Sequence, residues 1–231
     1  MRLLEILYAF FTLIYPQTCC ACRGVLVSGE RHLCGFCRVA MPRTGFCQHL
    51  DNPLVRRFWG RVQIETGTAL YFFQKGGRVQ QAIHQFKYRG NLKLGIYLGH
   101  LLGLSVKKSP HYRDLHLMIP VPLHPAKARA RGFNQSEVIC RGLAEALQIP
   151  SRPDLLVRLE ETGTQTKKDR FHRWENVSEV FQVTDETQLV NQHVLLVDDV
   201  VTTGATLEAC AQRLLEVPGV KVWIATLAIT D

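Results

Sequence analysis

The chain has 231 residues, of which 46% are hydrophobic, and it carries a formal net charge of +8 at pH 7. This hydrophobic content excludes a largely disordered protein, and the length allows one large domain or one domain with a small appendage. The basic charge suits an anionic partner such as a phosphate, a nucleic acid or a membrane surface, although an ordinary basic protein has the same balance.

The first fifteen residues are apolar enough to be mistaken for a signal peptide. Glu5 interrupts the apolar run, no small-residue cleavage site follows, and the run is too short to span a bilayer. Its apolar residues recur at helical spacing, which predicts an amphipathic helix that packs on its own protein or lies on a membrane or partner. We therefore expect a cytoplasmic protein with reduced thiols, and a peripheral position at the inner membrane stays open.

Six of the eight cysteines follow between positions 19 and 47. Four of them form the pattern C-x2-C-x11-C-x2-C, in which each C-x2-C turn supplies two thiolates to a tetrahedral ion. We predict one structural zinc ion; a redox pair is the alternative, and the two matched turns favour the metal. The roles of Cys20, Cys47 and His49 stay open. The predicted zinc ligands are Cys19, Cys22, Cys34 and Cys37.

Alternating strands and helices are predicted for the chain that follows the four-cysteine segment and a short connector. Strands are expected at 68–73, 115–121, 155–158, 194–197 and 220–228. Helices are expected at 78–88, 92–106, 135–147 and 203–216, with a long loop at 160–178. This alternation predicts a parallel sheet with helices on both faces. We divide the chain into an N-terminal helix and four-cysteine zinc ribbon (1–50) and an α/β domain (60–231).

Two adjacent carboxylates, Asp198 and Asp199, come where the strand 194–197 is predicted to end. Ligands bind at the carboxyl ends of strands in an open parallel sheet, so both side chains are expected at a ligand site. Small and hydroxyl-bearing residues follow and lead into a helix, whose N-terminus attracts an anion. A phosphate there leaves the carboxylates to accept hydrogen bonds from sugar hydroxyls or to lie near magnesium. These features predict a ribose 5-phosphate site. The turn consists of Thr202, Thr203, Gly204, Ala205 and Thr206.

Two basic groups are candidates for further phosphate contacts. One follows the predicted strand 115–121 and should lie at the same edge of the sheet as the aspartates, unless it is only a solvated face. It consists of Lys127, Arg129 and Arg131, followed by Gly132. The other lies in the predicted loop 160–178, which is either a flexible lid or a loop without a closed state. Its lid candidates are Lys167, Lys168 and Arg170.

Three motifs carry a resemblance to known families. VLLVDDVVTTGAT resembles the phosphoribosyl-pyrophosphate (PRPP) signature of type I phosphoribosyltransferases. IPVP resembles the start of the pyrophosphate loop of glutamine-dependent PRPP amidotransferases, and its extension through RGFNQ resembles the ComF family of competence-associated proteins. FKYRG is a further match to that family, which also has a four-cysteine zinc ribbon. Many members of that family have a further C-x-x-C pair after the first four cysteines. This chain has only Cys47 there, so the resemblance implies one zinc ion and no more.

The resemblance implies a type I phosphoribosyltransferase-like sheet and a ligand, PRPP, that binds with magnesium. It also implies a role in DNA uptake during natural transformation or in the handling of imported DNA. In an enzyme, a nucleophile would displace pyrophosphate from C1 of the ribose, and the predicted loop that carries Lys127, Arg129, Arg131 and Gly132 would bind this leaving group. No base-recognition motif is visible and the catalytic residues stay unknown, so the alternative is a non-catalytic module that senses PRPP or binds single-stranded DNA.

Overall fold

The computed structural model describes residues 16–159 and 180–230. The predicted N-terminal helix and the lid candidates Lys167, Lys168 and Arg170 lie outside the described residues, so both stay predictions. No helix within the two described stretches is long and apolar enough to cross a membrane.

The described residues form six strands and seven α-helices. The strands are β1 (Thr66–Phe73), β2 (Leu117–Pro120), β3 (Leu156–Arg158), β4 (Phe181–Val183), β5 (His193–Val201) and β6 (Lys221–Thr230). The helices are α1 (Gly35–Ala40), α2 (Pro53–Arg56), α3 (Arg78–Arg89), α4 (Leu92–Lys107), α5 (Pro125–Arg131), α6 (Gln135–Leu147) and α7 (Ala205–Leu215). The helices predicted at 78–88, 92–106 and 135–147 are confirmed.

Four parallel strands form the main sheet in the order β1-β6-β5-β2. The two central strands are buried along most of their length, as expected for strands covered on both faces. β3 confirms the strand predicted at 155–158, but it pairs antiparallel with β4 in a separate two-stranded sheet. The sequence could not assign it to a sheet, because three residues carry too little pattern to select a partner.

Helices cover both faces of the main sheet, as predicted. The buried side chains of α3, α4 and α6 belong to one apolar cluster, and those of α2 and α7 belong to the other. α4 and α6 approach each other closely: a Cβ atom at Gly142 would lie 1.9 Å from the carbonyl oxygen of Ile96. This contact fixes α6, whose first residues reach the carboxyl edge of β5.

The cysteine ribbon packs on the same face as α3 and α4. Its buried residues Cys19, Leu33 and Cys37 share the apolar cluster of those helices. At the start of α4, the side-chain amide of Asn91 donates a hydrogen bond to Cys20 Sγ at 3.5 Å. The predicted division between 1–50 and 60–231 therefore separates segments that share one core in the described residues, and it stays a prediction as a domain boundary.

Candidate functional site

The strand that carries the two aspartates is longer than predicted. It continues to Val201, so Asp198 and Asp199 lie inside the strand and not beyond its end. Pairing with β2 stops at Val197, whereas pairing with β6 continues to Val201. The expectation was wrong because the β-branched Val200 and Val201 favour an extended backbone and still have a partner strand. The side left unpaired by β2 is open at the carboxyl edge, where ligands bind in such sheets.

The two carboxylates have different partners. Asp198 accepts hydrogen bonds from Ser136 Oγ at 3.1 Å and from the backbone N–H of Asp199 at 2.8 Å. Asp199 forms an ion pair with Lys87, whose Nζ lies 2.7 Å from Oδ2. Burial and then the negative charge of Asp199 raise the pKa of Asp198 to about 7, and they outweigh the hydrogen bonds that would lower it. Asp198 therefore changes its charge near neutral pH.

Lys87 and Ser136 are site residues that the sequence did not assign. Lys87 lies in the FKYRG motif, in the last turn of α3, and Ser136 is the second residue of α6. The motifs FKYRG and RGFNQ pack together. The rings of Phe86 and Phe133 have centroids 5.9 Å apart, and the Arg131 guanidinium lies 5.4 Å from the centre of the Tyr88 ring. Lys87 could have been identified in the sequence by its position directly after Phe86, a core phenylalanine.

The turn after β5 has the backbone geometry of an anion site. Gly204 has a φ of 82°, which glycine adopts readily, and it caps α7. The sequence predicted that this helix begins at residue 203, but it begins at Ala205. The turn and the aspartate before it line a cavity of about 50 Å³. The first N–H groups of a helix lack partners within the helix and attract negative charge into such a space. The lining residues are Asp198 and Val200 to Leu207.

Two arginines hold the turn from behind. Arg57 donates hydrogen bonds to the carbonyl oxygens of Thr202 and Thr230, and Arg61 donates to the carbonyl oxygen of Thr203 at 3.2 Å. In a trans peptide the carbonyl and the following N–H point in opposite directions. The N–H groups of residues 203 and 204 therefore point away from the arginines. Arg61 also pairs with Glu208, which offsets an acidic charge in the first turn of α7.

The cations predicted for the pyrophosphate loop lie on a helix. Lys127, Arg129 and Arg131 belong to α5, and Gly132 follows it with a φ of 79°. The expectation of a loop was wrong because Pro125 suits the first turn of a helix and the alternating alanines favour helical backbone. Lys127 and Arg129 are exposed, whereas Arg131 is half-buried beside Tyr88. Arg131 contacts Tyr88, which lies on the helix that carries Lys87.

The four predicted zinc ligands come together in the ribbon. The sulfur atoms of Cys19, Cys22, Cys34 and Cys37 all lie within 4.8 Å of one another. Cys22 and Cys34 are 3.8 Å apart, which is the edge of a tetrahedron with zinc–sulfur bonds of about 2.3 Å. The donor set and its size therefore fit a closed zinc site of the structural type.

The backbone of the ribbon favours a thiolate at Cys19. The N–H of Cys34 donates to Cys19 Sγ at 3.3 Å, and the N–H of Cys37 donates to Cys34 Sγ at 3.4 Å. Burial would raise the pKa of Cys19, but N–H groups of Cys34, Cys22 and Ala21 lower it to about 7. Cys20 is outside the cluster, Cys47 is buried beside the side-chain amide of Gln48, and His49 is exposed.

Comparisons with known proteins agree with this arrangement. A family model described as "Phosphoribosyl transferase domain" matches residues 136–230. "Competence protein F" of Haemophilus influenzae is 28% identical over 223 residues, which are 89% of this chain and 94% of that protein. "Competence protein ComFC" of Bacillus subtilis is 29% identical over 202 residues, or 87% of this chain and 78% of the relative.

The chain is similar along most of its length to members of the ComF family. Another relative, "DNA utilization protein YhgH" of Escherichia coli K12, is 28% identical over 229 residues, which are 91% of this chain and 97% of that protein. The domain match, the parallel sheet and the cysteine cluster confirm the predicted phosphoribosyltransferase-like fold with an N-terminal four-cysteine ribbon.

Two solved structures align with part of this chain. The glutamine PRPP amidotransferase from B. subtilis, complexed with ADP and GMP, aligns with a TM-score of 0.39 and 22% identity over 56% of this chain. A structure titled as the allosteric regulatory enzyme of purine biosynthesis aligns with a TM-score of 0.37 and 19% identity over 57% of this chain. The chain spans 25% and 26% of their respective lengths.

Proposed function

We propose that the chain binds PRPP, or a related ribose 5-phosphate, at the carboxyl edge of β5. One observation carries this proposal: the same edge has a turn held from behind by Arg57 and Arg61 and two carboxylates directly before that turn. N–H groups suit a phosphate, and carboxylates suit the hydroxyl donors of a sugar. A sugar phosphate has both groups within one small molecule.

Each part of the ligand has a proposed partner. The 5-phosphate binds the N–H groups and hydroxyls of the turn, and it neutralises the partial positive charge of the α7 N-terminus. The ribose hydroxyls donate to Asp198 and Asp199. Arg131, with Lys127 and Arg129 earlier in α5, supplies positive charge to the pyrophosphate. The lid role of Lys167, Lys168 and Arg170 stays a prediction for residues outside the described part of the chain.

Magnesium fits this arrangement as a companion of the ligand. Carboxylate oxygens are ligands of the kind that magnesium prefers, but two aspartates are too few to form a site alone. Among the described residues, the cysteine cluster is the one group with three or more potential metal ligands in range. We therefore expect most magnesium ligands to come from PRPP oxygens and water. When bound, the ion would offset negative charge on the pyrophosphate.

Calorimetric titration with PRPP, with and without magnesium, tests the binding site. We expect saturable binding by the wild type and loss of detectable binding by the Asp198→Asn, Asp199→Asn double variant. Asp185→Asn is the matched control, because Asp185 is a half-buried carboxylate that caps a three-residue turn elsewhere. Equal affinities of wild type and double variant would overturn the assignment.

A role in DNA uptake, or in the handling of imported DNA, is the biological part of the proposal. It is supported by relatives named for competence and for DNA utilization, which match the chain along most of its length. The test is complementation of a naturally competent host that lacks its own relative. The wild-type chain should restore transformation and the double aspartate variant should not; restoration by both would separate this role from the ribose-phosphate site.

Binding followed by turnover, and binding without turnover, make different predictions for the released product. A phosphoribosyltransferase liberates pyrophosphate when a suitable nucleophile is supplied, whereas a sensor does not. Pyrophosphate release should therefore be measured with a panel of nucleobases, amines and single-stranded DNA as candidate nucleophiles.

The net charge of +8 also favours direct contact with single-stranded DNA. Fluorescence anisotropy at several salt concentrations measures such contact as an affinity that falls with rising salt.

A further inference from the structure

Lys87 reaches the ribose-phosphate edge from a helix outside the matched phosphoribosyltransferase domain. It lies in the last turn of α3, whereas the matched domain begins at residue 136. Its neighbours in sequence fix the backbone there: Phe86 is fully buried in the core, and Tyr88 lies beside Arg131. The lysine thus directly follows an anchored residue, Phe86, and its side chain extends to Asp199.

The contact between Lys87 and Asp199 is largely shielded from solvent. The side chains are 19% and 12% exposed, and Nζ lies 2.7 Å from the carboxylate. Leaving one member of such a pair without its partner is costly, so the ammonium should stay beside Asp199 when a ligand binds. Lys87 contacts Oδ2 of Asp199, and the second carboxylate oxygen can accept a hydrogen bond from a sugar hydroxyl without breaking the pair.

We propose that Lys87 is a ligand-binding residue that contacts the pyrophosphate group of PRPP while it stays beside Asp199. This inference rests on the proposed function. Asp199 is expected to accept a hydrogen bond from a ribose hydroxyl, and the carbon that carries the pyrophosphate, C1, is adjacent to the carbon of the 2-hydroxyl. A cation beside Asp199 therefore lies within reach of a substituent on C1. A lysine ammonium is a compact charge that suits phosphate oxygens of variable geometry.

Arg131 gives independent support for this placement of the pyrophosphate. Its guanidinium lies beside the ring of Tyr88, the residue after Lys87, so α5 brings a second cation to the end of α3 that carries Lys87. In this arrangement FKYRG contributes a residue of the binding site, beyond its packing against RGFNQ.

Two ligands that differ only in the group at C1 separate the two roles of Lys87. The probes are magnesium-PRPP and ribose 5-phosphate, and the variants are Lys87→Met and Lys87→Arg. We expect Lys87→Met to weaken PRPP binding by about tenfold or more, as for loss of a charge-assisted hydrogen bond, while ribose 5-phosphate binds as in the wild type or more tightly. Lys107→Gln, an exposed lysine at the end of α4, is the control and should change neither affinity.

Ribose 5-phosphate also reports whether each variant keeps its fold and site. If Lys87→Met fails to fold, Lys87→Arg keeps the charge pair and should still change PRPP affinity alone. Equal changes for both ligands, or no change for either, would reduce Lys87 to a charge partner of Asp199 and overturn the proposal. A wild type that binds neither ligand would instead contradict the proposed function.

Discussion

The cysteine cluster and the carboxyl edge of β5 are assembled in opposite ways. The four thiols come from one stretch, residues 19–37, and they lie within 4.8 Å of one another through local turns. The edge draws Lys87 from α3, Ser136 from α6 and two carboxylates from β5. Local spacing is sufficient to encode the first, whereas the second exists only when the sheet and its helices are in place.

The two regions also differ in what their geometry leaves open. Four thiolates complete the coordination of a tetrahedral ion, so the ribbon has no position for a substrate. The edge instead combines a turn whose N–H groups point away from Arg57 and Arg61 with carboxylates that already have protein partners. A closed site of the first kind stabilises the fold, and an open site of the second kind leaves room for a ligand beside the existing protein contacts.

The largest effect is expected at the cysteine cluster. We expect the wild type to hold about one zinc ion per chain and Cys34→Ser to lose most of it. The variant should also lower the free energy of unfolding by at least about 2 kcal/mol, because metal binding and folding of such ribbons are coupled. Cys20→Ser is the matched control, since Cys20 lies outside the cluster. Metal analysis and thermal unfolding check both variants; a fully zinc-loaded Cys34→Ser protein would refute the assignment.

The next effect is expected in the phosphate turn. Gly204→Val places a side chain at a φ of 82°, where its Cβ would also lie 3.1 Å from the Phe58 ring. We expect PRPP affinity to fall by more than about tenfold, because the turn must shift to relieve both conflicts. Gly76→Val has a similar φ of 77° in open space, so it bears the backbone cost without touching the turn. Calorimetry should show near wild-type affinity for the control, and equal losses would argue against a specific role of the turn.

A pH-dependent effect is expected from Asp198. Its pKa of about 7 exceeds the value of about 3.9 expected in the unfolded chain, so the stabilisation is fully present below the unfolded value and is lost as pH rises through about 7. PRPP binding should change in the opposite direction and strengthen from about pH 6 to 8, because a sugar hydroxyl donates best to an ionised carboxylate.

The variant Asp198→Asn removes this titration. Thermal midpoints and PRPP affinities measured at several pH values should lose the part of the pH dependence that is present only in the wild type. Ionisation of the ligand phosphates is common to both proteins, so the difference between them is the informative quantity. Identical pH profiles would show that Asp198 does not titrate in this range.

The smallest effect is expected behind the turn. Arg61→Gln removes the ion pair with Glu208 and weakens the support of the Thr203 carbonyl. Because these contacts act on the ligand only through the turn, PRPP affinity should fall about two- to tenfold. Arg56→Gln breaks an exposed pair with Asp51 and serves as the control. A larger loss for Arg56→Gln than for Arg61→Gln would contradict the proposed support.

The amino-acid sequence predicted those features that depend on local patterns. The four-cysteine cluster follows from the spacing of paired cysteines, and α6 has the predicted bounds of residues 135–147. Asp198 and Asp199 were identified by the apolar run before them. Their position inside β5 was not, because strand length there depends on β6 continuing past the end of β2.

Lys87 and Ser136 show what local patterns leave out. A lysine at the end of an amphipathic helix is usually solvated, and a serine near a helix start usually caps it. Their contacts with Asp199 and Asp198 arise from the packing of α3 and α6 against the same face of the sheet. The RGFNQ and FKYRG motifs are visible in the sequence, but only the contact between Phe86 and Phe133 in the structure shows that they act together.

The central claim is that the carboxyl edge of β5 is a ribose 5-phosphate site. The most direct test is a crystal structure of the full chain with magnesium and PRPP at saturating concentration. We expect the 5-phosphate within hydrogen-bond distance of the N–H groups of residues 203–206, ribose hydroxyls on Asp198 and Asp199, and the pyrophosphate beside Lys87. A ligand bound elsewhere, or an edge whose Lys87–Asp199 pair and turn stay free of ligand at saturation, would contradict the account.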